Sequence, residues 1–329
     1  MKVLIAPDKF RGSASAAEVA CAIAAGAESA GATTRQQPLA DGGEGTLEVL
    51  GGANRTTTVT GPLGDPVDAP WRLHRAEAVI EMASASGLEL VGGPAGNDPL
   101  AASTAGTGEL ISSAVDLGAR RIIVGLGGSA TTDGGLAALR ALYPLPRLKG
   151  VELIVACDVD TTFVDAAEVF APQKGASPAQ VALLTRRLQR LAEVYRQDHG
   201  IDVTAPPGTG AAGGLAGGLL VAGGHLRPGF ELVADEVDLD GAFADVDLVI
   251  TGEGRLDDQS FHGKVVGGVV GWATDRGVPV LAIAGTVDES VTPPMPVVSL
   301  VDRYGADRSF TEPLACLTEV AAAEVADRS

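Results

Sequence analysis

The stretch that decides the fold is Asp247-Leu-Val-Ile-Thr-Gly-Glu-Gly-Arg-Leu-Asp-Asp-Gln259. Its first half is apolar and predicts a buried parallel strand, and its second half predicts a loop of glycines and carboxylates at the end of that strand. In open α/β sheets, ligands bind at the carboxyl ends of the strands, and a glycine-rich exit lets backbone N–H groups approach an anion. The segment therefore predicts an α/β protein with a ligand site at this strand end.

The same pattern occurs at two other places in the chain. Val3-Leu-Ile-Ala6 leads into Pro7-Asp-Lys-Phe-Arg-Gly12, and Arg121-Ile-Ile-Val124 leads into Gly125-Leu-Gly-Gly-Ser-Ala-Thr-Thr-Asp-Gly-Gly135. Each apolar run ends in glycines with Asp, Ser, Thr, Lys or Arg nearby. Together the strand exits predict a site for phosphate and a metal ion.

Length and charge limit the classes of partner. A chain of 329 residues fits two domains of about 150 residues each. The formal net charge of −18 repels nucleic acid and anionic membranes, so we expect a small-molecule substrate and neither of those partners. An anionic substrate then needs local cations. Only five lysines occur, and Lys9, Lys174 and Lys264 lie in or beside glycine-bearing loops.

The cysteines and the apolar segments predict the cellular compartment of the protein. Cys21, Cys157 and Cys316 are far apart and lack metal-ligand spacing, which favours a reducing cytoplasm over a disulfide framework or a zinc site. The apolar run before Asp8 is too short for a signal peptide. Residues 203–226 carry no formal charge, but they are dominated by Gly and Ala and do not predict a membrane span.

Strand and helix signals alternate along the chain, as in α/β proteins. Capping boxes at Ser15–Glu18 and Ser177–Gln180 predict the starts of two helices, the second being the longest. Ser103-Thr104 predicts the start of another helix that ends near Gly118. The predicted strands cover residues 3–6, 55–60, 76–82, 121–126, 151–156, 230–234, 247–251, 278–284 and 297–301.

Several catalytic motifs are missing from the sequence. It contains no Gly-x4-Gly-Lys-Ser/Thr, no Gly-x-Ser-x-Gly and no His-Glu-x-x-His. Gly125–Ala130 fits the skeleton of a dinucleotide fingerprint, which leaves an oxidoreductase open. Carboxylates and a few cations on separate glycine loops are, however, what phosphoryl transfer needs, because that chemistry depends on positioning and charge neutralisation.

Eight motifs resemble one family in order and over essentially the whole chain. They are Ala6–Ser13, Ala40–Thr46, Ser103–Leu110, Gly127–Gly135, Cys157–Asp160, Phe170–Gly175, Gly210–Gly214 and Thr251–Gln259. On these motifs the chain resembles the class I glycerate kinase family. The resemblance implies ATP-dependent phosphorylation of D-glycerate with Mg²⁺, and 2-phosphoglycerate is the product we favour. It leaves open whether the protein is a monomer or a homodimer.

The resemblance also implies two α/β domains. A Rossmann-like parallel-sheet domain comes from both chain ends, residues 1–60 and 245–329, and a second α/β domain, residues 61–244, is inserted into it. We expect the site in the cleft between the domains, a usual place for small-molecule sites.

Residue types and the resemblance together give the candidate site residues. Asp8 or Asp257 orients or deprotonates the glycerate hydroxyl, Arg11 binds the carboxylate with its guanidinium fork, and Lys174 and Lys264 offset charge on the transferring group. The other candidates are Lys9 and Arg255 for the substrate, Gly127, Gly128, Ser129, Asp133, Gly210, Gly213 and Gly214 for the nucleotide, and Asp41, Glu44 and Glu253 for Mg²⁺. Asp133 also fits a helix cap.

The sequence departs from the family pattern at several positions. Lys9 and Arg11 stand where serine and lysine are usual, residues 161–167 replace an Asn-Pro-Leu loop, and the connection from Leu142 to Val151 is short. These departures motivate an alternative, a catalytically weakened relative that binds ligand without turnover. An NAD-dependent oxidoreductase is the other alternative, although no acid stands near Tyr143, where a ribose ligand is expected.

Overall fold

The computed structural model describes residues 1–261 and 263–328. The strands are β1 (Lys2–Ile5), β2 (Thr33–Gln36), β3 (Arg55–Thr60), β4 (Pro66–His74), β5 (Glu77–Glu81), β6 (Arg121–Gly125), β7 (Glu152–Ala156), β8 (His225–Arg227), β9 (Leu248–Leu256), β10 (Val280–Val287) and β11 (Val297–Ser299). The helices are α1 (Ala16–Ser29), α2 (Thr46–Val49), α3 (Ala83–Ser86), α4 (Ala105–Asp116), α5 (Leu136–Ala141), α6 (Ala166–Phe170), α7 (Pro178–His199), α8 (Ala211–Val221), α9 (Gly229–Glu236), α10 (Leu239–Ala242), α11 (Val265–Asp275), α12 (Leu300–Tyr304), α13 (Ala306–Thr311) and α14 (Pro313–Ala326). Short 3-10 turns cover Glu89–Val91, Leu145–Leu148, Pro172–Lys174 and Asp258–Phe261.

The chain divides into two compact units. The first contains residues 1–41 and 229–329, and the second contains residues 42–228. The predicted boundaries had placed residues 42–60 with the chain ends and residues 229–244 with the insertion. β3 belongs to the second unit because it pairs with β4 along its whole length, from Arg55 opposite Trp71 to Thr60 opposite Pro66. The predicted architecture, an α/β unit from both chain ends and a second α/β unit between them, is confirmed.

The first unit is built on a five-stranded parallel sheet in the order β11-β10-β9-β1-β2. Helices α1 and α14 pack closely, and a Cβ on Gly26 of α1 would lie 2.1 Å from the carbonyl oxygen of Thr318. The strand order reverses between β1 and β9, which are neighbours in the sheet although they are far apart in sequence. Ligands bind at such a switch point in open α/β sheets.

The second unit is built on a six-stranded sheet in the order β3-β4-β5-β6-β7-β8. β3, β4 and β5 pair antiparallel, and β5 to β8 pair parallel. Its core includes the fully buried Trp71, Ile80 and Leu110. The α7 helix packs a second core through Leu184, Leu188 and other apolar residues.

Local helix signals in the sequence agree with the structure. The Ser15 and Ser177 side chains each accept a hydrogen bond from the backbone N–H three residues later, and both capping boxes are complete. The predicted strand at 230–234 is wrong, because these residues lie in α9. Phe230, Val233 and Ala234 are all buried, and their spacing is that of one helical face. Within residues 1–261 and 263–328, no helix is both long enough and apolar enough to cross a membrane.

Candidate active site

Asp8 and Glu253 lie at the switch point of the first unit. β1 and β9 are parallel with Ile5 opposite Ile250, and the Asp8 amide continues this ladder by donating to the carbonyl oxygen of Gly252 at 2.8 Å. The same register sets Asp8 opposite Glu253. The predicted loop after residue 251 is wrong, because β9 continues to Leu256 and its later residues pair with β10. The exit of β1 therefore places Asp8 beside Glu253, which lies within β9.

Burial makes both carboxylates hold protons unusually well. Burial raises the pKa of Asp8 from 3.8 to about 6, against the opposing charge of Lys9, whose Nζ lies 3.7 Å from Asp8 Oδ1. The Asp41 charge raises the pKa of Asp8 further, which places Asp41 in the same surroundings. Burial likewise raises the pKa of Glu253 from 4.5 to about 7, although a hydrogen bond from Ser260 lowers it.

Glu253 has one oxygen that the fold does not satisfy. Its Oε1 atom is buried and has no hydrogen-bond partner among residues 1–261 and 263–328. A buried carboxylate oxygen without a partner costs free energy of folding. Such an atom is suited to a proton, a cation or a donor from a ligand.

The loop after β9 completes this group of residues, which we call the Asp8 group: Asp8, Lys9, Asp41, Glu253, Asp257, Ser260 and Lys264. The Asp257 amide donates to Ser260 Oγ at 2.9 Å, and Asp257 Oδ1 accepts from the Gln259 amide at 3.0 Å. The Lys264 charge lowers the pKa values of Asp8 and Glu253. Six of these residues were predicted site residues; Ser260 was missed, although its place three residues after Asp257 is typical of a turn cap.

The predicted substrate-binding arginines lie on the surface of the first unit. Arg11 is exposed, directly after the β1 exit. Arg255 is exposed as well, and its Nη2 lies 3.0 Å from Asp288 Oδ2. An exposed ion pair of this kind contributes little to stability, so Arg255 can exchange Asp288 for an anionic ligand at low cost.

Lys174 is the centre of a second group, within the second unit. Its side chain is only 2% exposed, and Nζ donates to Ser129 Oγ at 2.7 Å and to the carbonyl oxygen of Thr131 at 2.6 Å. Burial lowers the pKa of Lys174 from 10.5 to about 7, against the opposing effect of Asp133. The Asn97 side-chain amide donates to the carbonyl oxygens of Lys174 and Ala130, which ties the lysine segment to the glycine loop.

Asp133 connects the starts of two helices. Its Oδ2 accepts from the Thr104 amide at 3.0 Å and from Thr104 Oγ1 at 2.8 Å, and its Oδ1 accepts from the Gly135 amide at 3.1 Å. Thr104 Oγ1 in turn accepts from the Ala138 amide of α5. These contacts fit the helix-cap interpretation of Asp133, while its contact with a nucleotide stays a prediction. We call Asn97, Thr104, Ser129, Thr131, Asp133 and Lys174 the Lys174 group.

The predicted phosphate-binding glycines have packing roles in the structure. A Cβ on Gly213 would lie 2.0 Å from the carbonyl oxygen of Thr131, and one on Gly214 would lie 2.8 Å from the Cα of Gly134. A Cβ on Gly210 would lie 2.3 Å from the carbonyl oxygen of Thr162. These glycines let loops of the second unit approach one another, and their contact with a nucleotide stays a prediction.

Backbone atoms of another loop also lie close to Gly127. A Cβ there would lie 2.8 Å from the Cα of Gly43 and 2.9 Å from the Glu44 nitrogen. The predicted metal candidate Glu44 therefore lies beside the predicted phosphate loop that contains Gly127, Gly128 and Ser129. Asp41 and Glu253, the other metal candidates, belong to the Asp8 group. Among the described residues, no group of three or more His, Cys, Asp or Glu side chains is arranged to hold a metal.

The segment that departs from the family pattern is well packed. Phe163 is fully buried and lies against Tyr195, with ring centroids 6.0 Å apart. A Cβ on Gly217 would lie 2.4 Å from the Phe163 ring. The loop at 161–167 is thus part of a core, and it leads directly into α6.

The fold and these two groups define a class: an α/β protein with buried carboxylates at a sheet switch point and a buried lysine on a glycine loop. The model of the Glycerate kinase family matches residues 3–143 and 144–304. The chain belongs to the glycerate kinase family, whose members are phosphotransferases. That assignment agrees with the resemblance of the motifs and does not support the oxidoreductase alternative.

Individual relatives agree with the family assignment. The chain is 41% identical to the Glycerate 2-kinase of Escherichia coli strain K12, over 94% of this chain and 90% of that protein. It is 42% identical to the Glycerate kinase of Bacillus subtilis strain 168, with the same coverage. The crystal structure of a candidate glycerate kinase 2 from Salmonella typhimurium LT2 superposes with a TM-score of 0.84 at 38% identity, covering 100% of this chain and 98% of that one.

Proposed function

We propose that this chain transfers the γ-phosphoryl group of ATP to the 2-hydroxyl of D-glycerate. Family membership supports the reaction type and the acceptor. The 2-position is favoured because one relative, 41% identical over nearly the whole chain, is named Glycerate 2-kinase. The oligomeric state and the cytoplasmic location stay predictions.

The observation that carries the proposal is the pair of neighbouring carboxylates at the switch point, the buried Asp8 and the half-buried Glu253, both with raised pKa values. A general base works best when its pKa is near the working pH, and kinases use a carboxylate to align and deprotonate the attacking hydroxyl. We assign this role to Asp8, because its pKa of about 6 leaves it ionised at neutral pH while it still accepts a proton readily. Asp257, whose charge raises the pKa of Glu253, stays the alternative for this role.

We assign the positively charged side chains near these sites to the anionic groups of glycerate and ATP. Arg11 follows Asp8 on the same exit, and its planar guanidinium matches the glycerate carboxylate in a bidentate way. Lys9 and Lys264 lie in the field of Asp8 and offset negative charge that reaches it. Lys174, with Ser129, is the corresponding donor on the glycine loop of the second unit.

The carboxylates of the Asp8 group fit a Mg²⁺ ion. The unsatisfied Glu253 Oε1 is the kind of oxygen that Mg²⁺ takes, and Mg²⁺ in kinases is typically held by one or two carboxylates together with substrate phosphates. Glu253, with Asp41 nearby, would hold the ion, and a bound cation would lower the pKa of Glu253. An ion held there would neutralise negative charge on the substrate phosphates. That Glu44 contributes to binding Mg²⁺ stays a prediction.

A coupled assay of ADP release tests the proposal. The wild-type chain should turn over with D-glycerate and ATP, should be much slower with L-glycerate, and should stop when EDTA removes the divalent ion. Asp8→Asn should lower kcat by about 100-fold or more, the range for losing a general base. Asp275→Asn, the same change on an exposed helix-end carboxylate, is the matched control and should keep full activity.

Two outcomes would contradict the proposal in different ways. Binding of ATP and glycerate without ADP release would support the weakened relative instead. Turnover by Asp8→Asn at the wild-type rate would keep the kinase and remove Asp8 as its base.

A further inference from the structure

A pocket in the second unit lies between α7, the segment before α4 and the start of α5. Its volume is about 500 Å³, within the usual range of small-molecule sites. The residues that line it are Pro99, Leu100, Ala102, Thr132, Asp133, Leu136, Leu184, Arg186, Arg187, Leu188, Arg190, Leu191 and Val194. Of the candidate site residues described above, Asp133 alone lines this pocket.

The walls of the pocket are apolar. Leu184, Leu188 and Leu191 project from successive turns of α7, and Leu136 contributes from the start of α5. Leu184 and Leu188 are almost completely buried, while Leu191 is half-buried. Branched aliphatic walls of this kind suit a flat, weakly polar ring system that contacts them with its faces.

One polar atom at the pocket has no partner in the fold. Thr132 is 2% exposed, and its Oγ1 has no hydrogen-bond partner in the part of the chain that the structure describes. A buried hydroxyl without a partner is uncommon, because losing its hydrogen bonds to water is costly. A hydroxyl both donates and accepts, so Thr132 can pair with the edge of a heterocycle that carries an amino group and a ring nitrogen.

Three arginines stand at the pocket within five residues of α7. Arg186, Arg187 and Arg190 are exposed. Arg187 Nη1 donates to the carbonyl oxygen of Leu100 at 3.1 Å, and Arg190 pairs with Glu193 at 2.7 Å. In a chain with a net charge of −18 this is a local concentration of positive charge. Guanidinium groups are the preferred partners of phosphate.

We infer that this pocket binds the adenine nucleotide, with the base between Leu188, Leu191 and Leu136, its edge on Thr132 and its phosphates toward the arginines. The apolar walls match the faces of the adenine ring, the unpaired Thr132 hydroxyl matches its polar edge, and the arginines match the phosphates. Thr132 also belongs to the glycine loop that carries Ser129. The inference rests on the proposed function only in taking ATP as the phosphoryl donor.

Isothermal titration calorimetry with ATP, ADP and adenosine tests the inference without requiring turnover. Leu191→Trp fills the pocket and should weaken ATP binding by at least about tenfold, because the base and the new indole compete for one volume. Leu117→Trp places the same side chain at an exposed position of the second unit and is the matched control, with unchanged affinity. Circular dichroism should show that both variants are folded.

Two smaller changes test the orientation of the nucleotide. Thr132→Val keeps the shape of the side chain and should weaken ATP and adenosine alike, by roughly three- to tenfold, the usual value of one hydrogen bond. Arg186→Ala should weaken ATP and ADP but leave adenosine unchanged, because adenosine has no phosphate.

The failure of this inference can be told from the failure of the proposed function. If Leu191→Trp and Thr132→Val bind ATP with wild-type affinity while the wild-type chain phosphorylates glycerate, the pocket is not the nucleotide site and the kinase stands. If the wild-type chain binds no adenine nucleotide at millimolar concentration, the inference and its premise both fall.

Discussion

Replacing Asp8 by asparagine should make the protein less active and more stable at the same time. The folded state raises the pKa of Asp8 from 3.8 to about 6, so the fold destabilises the ionised form. A raised carboxyl pKa costs nothing at low pH, where both states are protonated, and the cost develops as the pH rises from the unfolded pKa to the folded one. Asparagine carries no charge and avoids this cost.

The size of the effect follows from the two pKa values. Their difference corresponds to about 3 kcal/mol at pH 7.5, where the carboxyl is ionised in both states, and to about 1 kcal/mol at pH 4.5. The asparagine Oδ1 can still accept the hydrogen bond from the Lys9 amide, which is 2.7 Å long in the wild type. We therefore expect Asp8→Asn to raise the free energy of unfolding by up to about 3 kcal/mol at pH 7.5.

Urea denaturation at the two pH values measures this prediction. Asp275→Asn removes the same charge from an exposed position and controls for the change in net charge. The reasoning is refuted if Asp8→Asn is less stable than the wild type at pH 7.5, or if its gain in stability is the same at pH 4.5.

Three further predictions follow from the same contacts. Lys9→Ser removes a cation 3.7 Å from Asp8. The Coulomb energy of such a pair is about 1 to 4 kcal/mol, depending on the local dielectric. The pKa of Asp8 should therefore rise, and the acid limb of the kcat/KM profile should move to higher pH by about one unit or more. An unmoved limb would show that Asp8 does not control the rate. Gly213→Ala should lower the free energy of unfolding by at least about 2 kcal/mol in thermal or urea unfolding, because its Cβ would lie 2.0 Å from a backbone oxygen. The control is Gly223→Ala, which has the same left-handed backbone but open space around it and should cost only about 1 kcal/mol. Equal losses would contradict the packing role. Glu253→Gln should raise the Mg²⁺ concentration that gives half the maximal rate by about tenfold or more; an unchanged Mg²⁺ titration would remove Glu253 as its ligand.

The sequence predicted the parts of the site that depend on local signals. The apolar runs at 3–6 and 247–251 predict two strands, and both form. The second continues to Leu256, however, so Glu253 lies within β9 and not in the loop predicted after residue 251. The capping boxes at Ser15 and Ser177 formed as predicted because each needs only four consecutive residues. The buried residues of α9 were mistaken for a strand, since a short apolar run has no clear period.

Contacts between distant residues could not be predicted from the sequence. Asp8 and Glu253 are 245 positions apart, and only the pairing of β1 with β9 sets them opposite each other. The bond from Lys174 to Ser129 and the capping of two helices by Asp133 likewise depend on how loops pack. The sequence predicts that the Gly210–Gly214 run cradles phosphates, and it gives no sign that backbone atoms of other loops approach these glycines closely. The unsatisfied hydroxyl of Thr132 became visible only once its neighbours were known.

Phosphorus-31 NMR of the products formed from ATP, Mg²⁺ and D-glycerate tests the central claim most directly. Transfer to the 2-hydroxyl gives a phosphomonoester attached to a carbon that bears one hydrogen, so the proton-coupled spectrum should show a new doublet as ADP appears. A triplet would place the phosphoryl group on the 3-hydroxyl and contradict the proposed position. A spectrum without any new phosphomonoester signal, from a folded chain, would contradict the kinase itself.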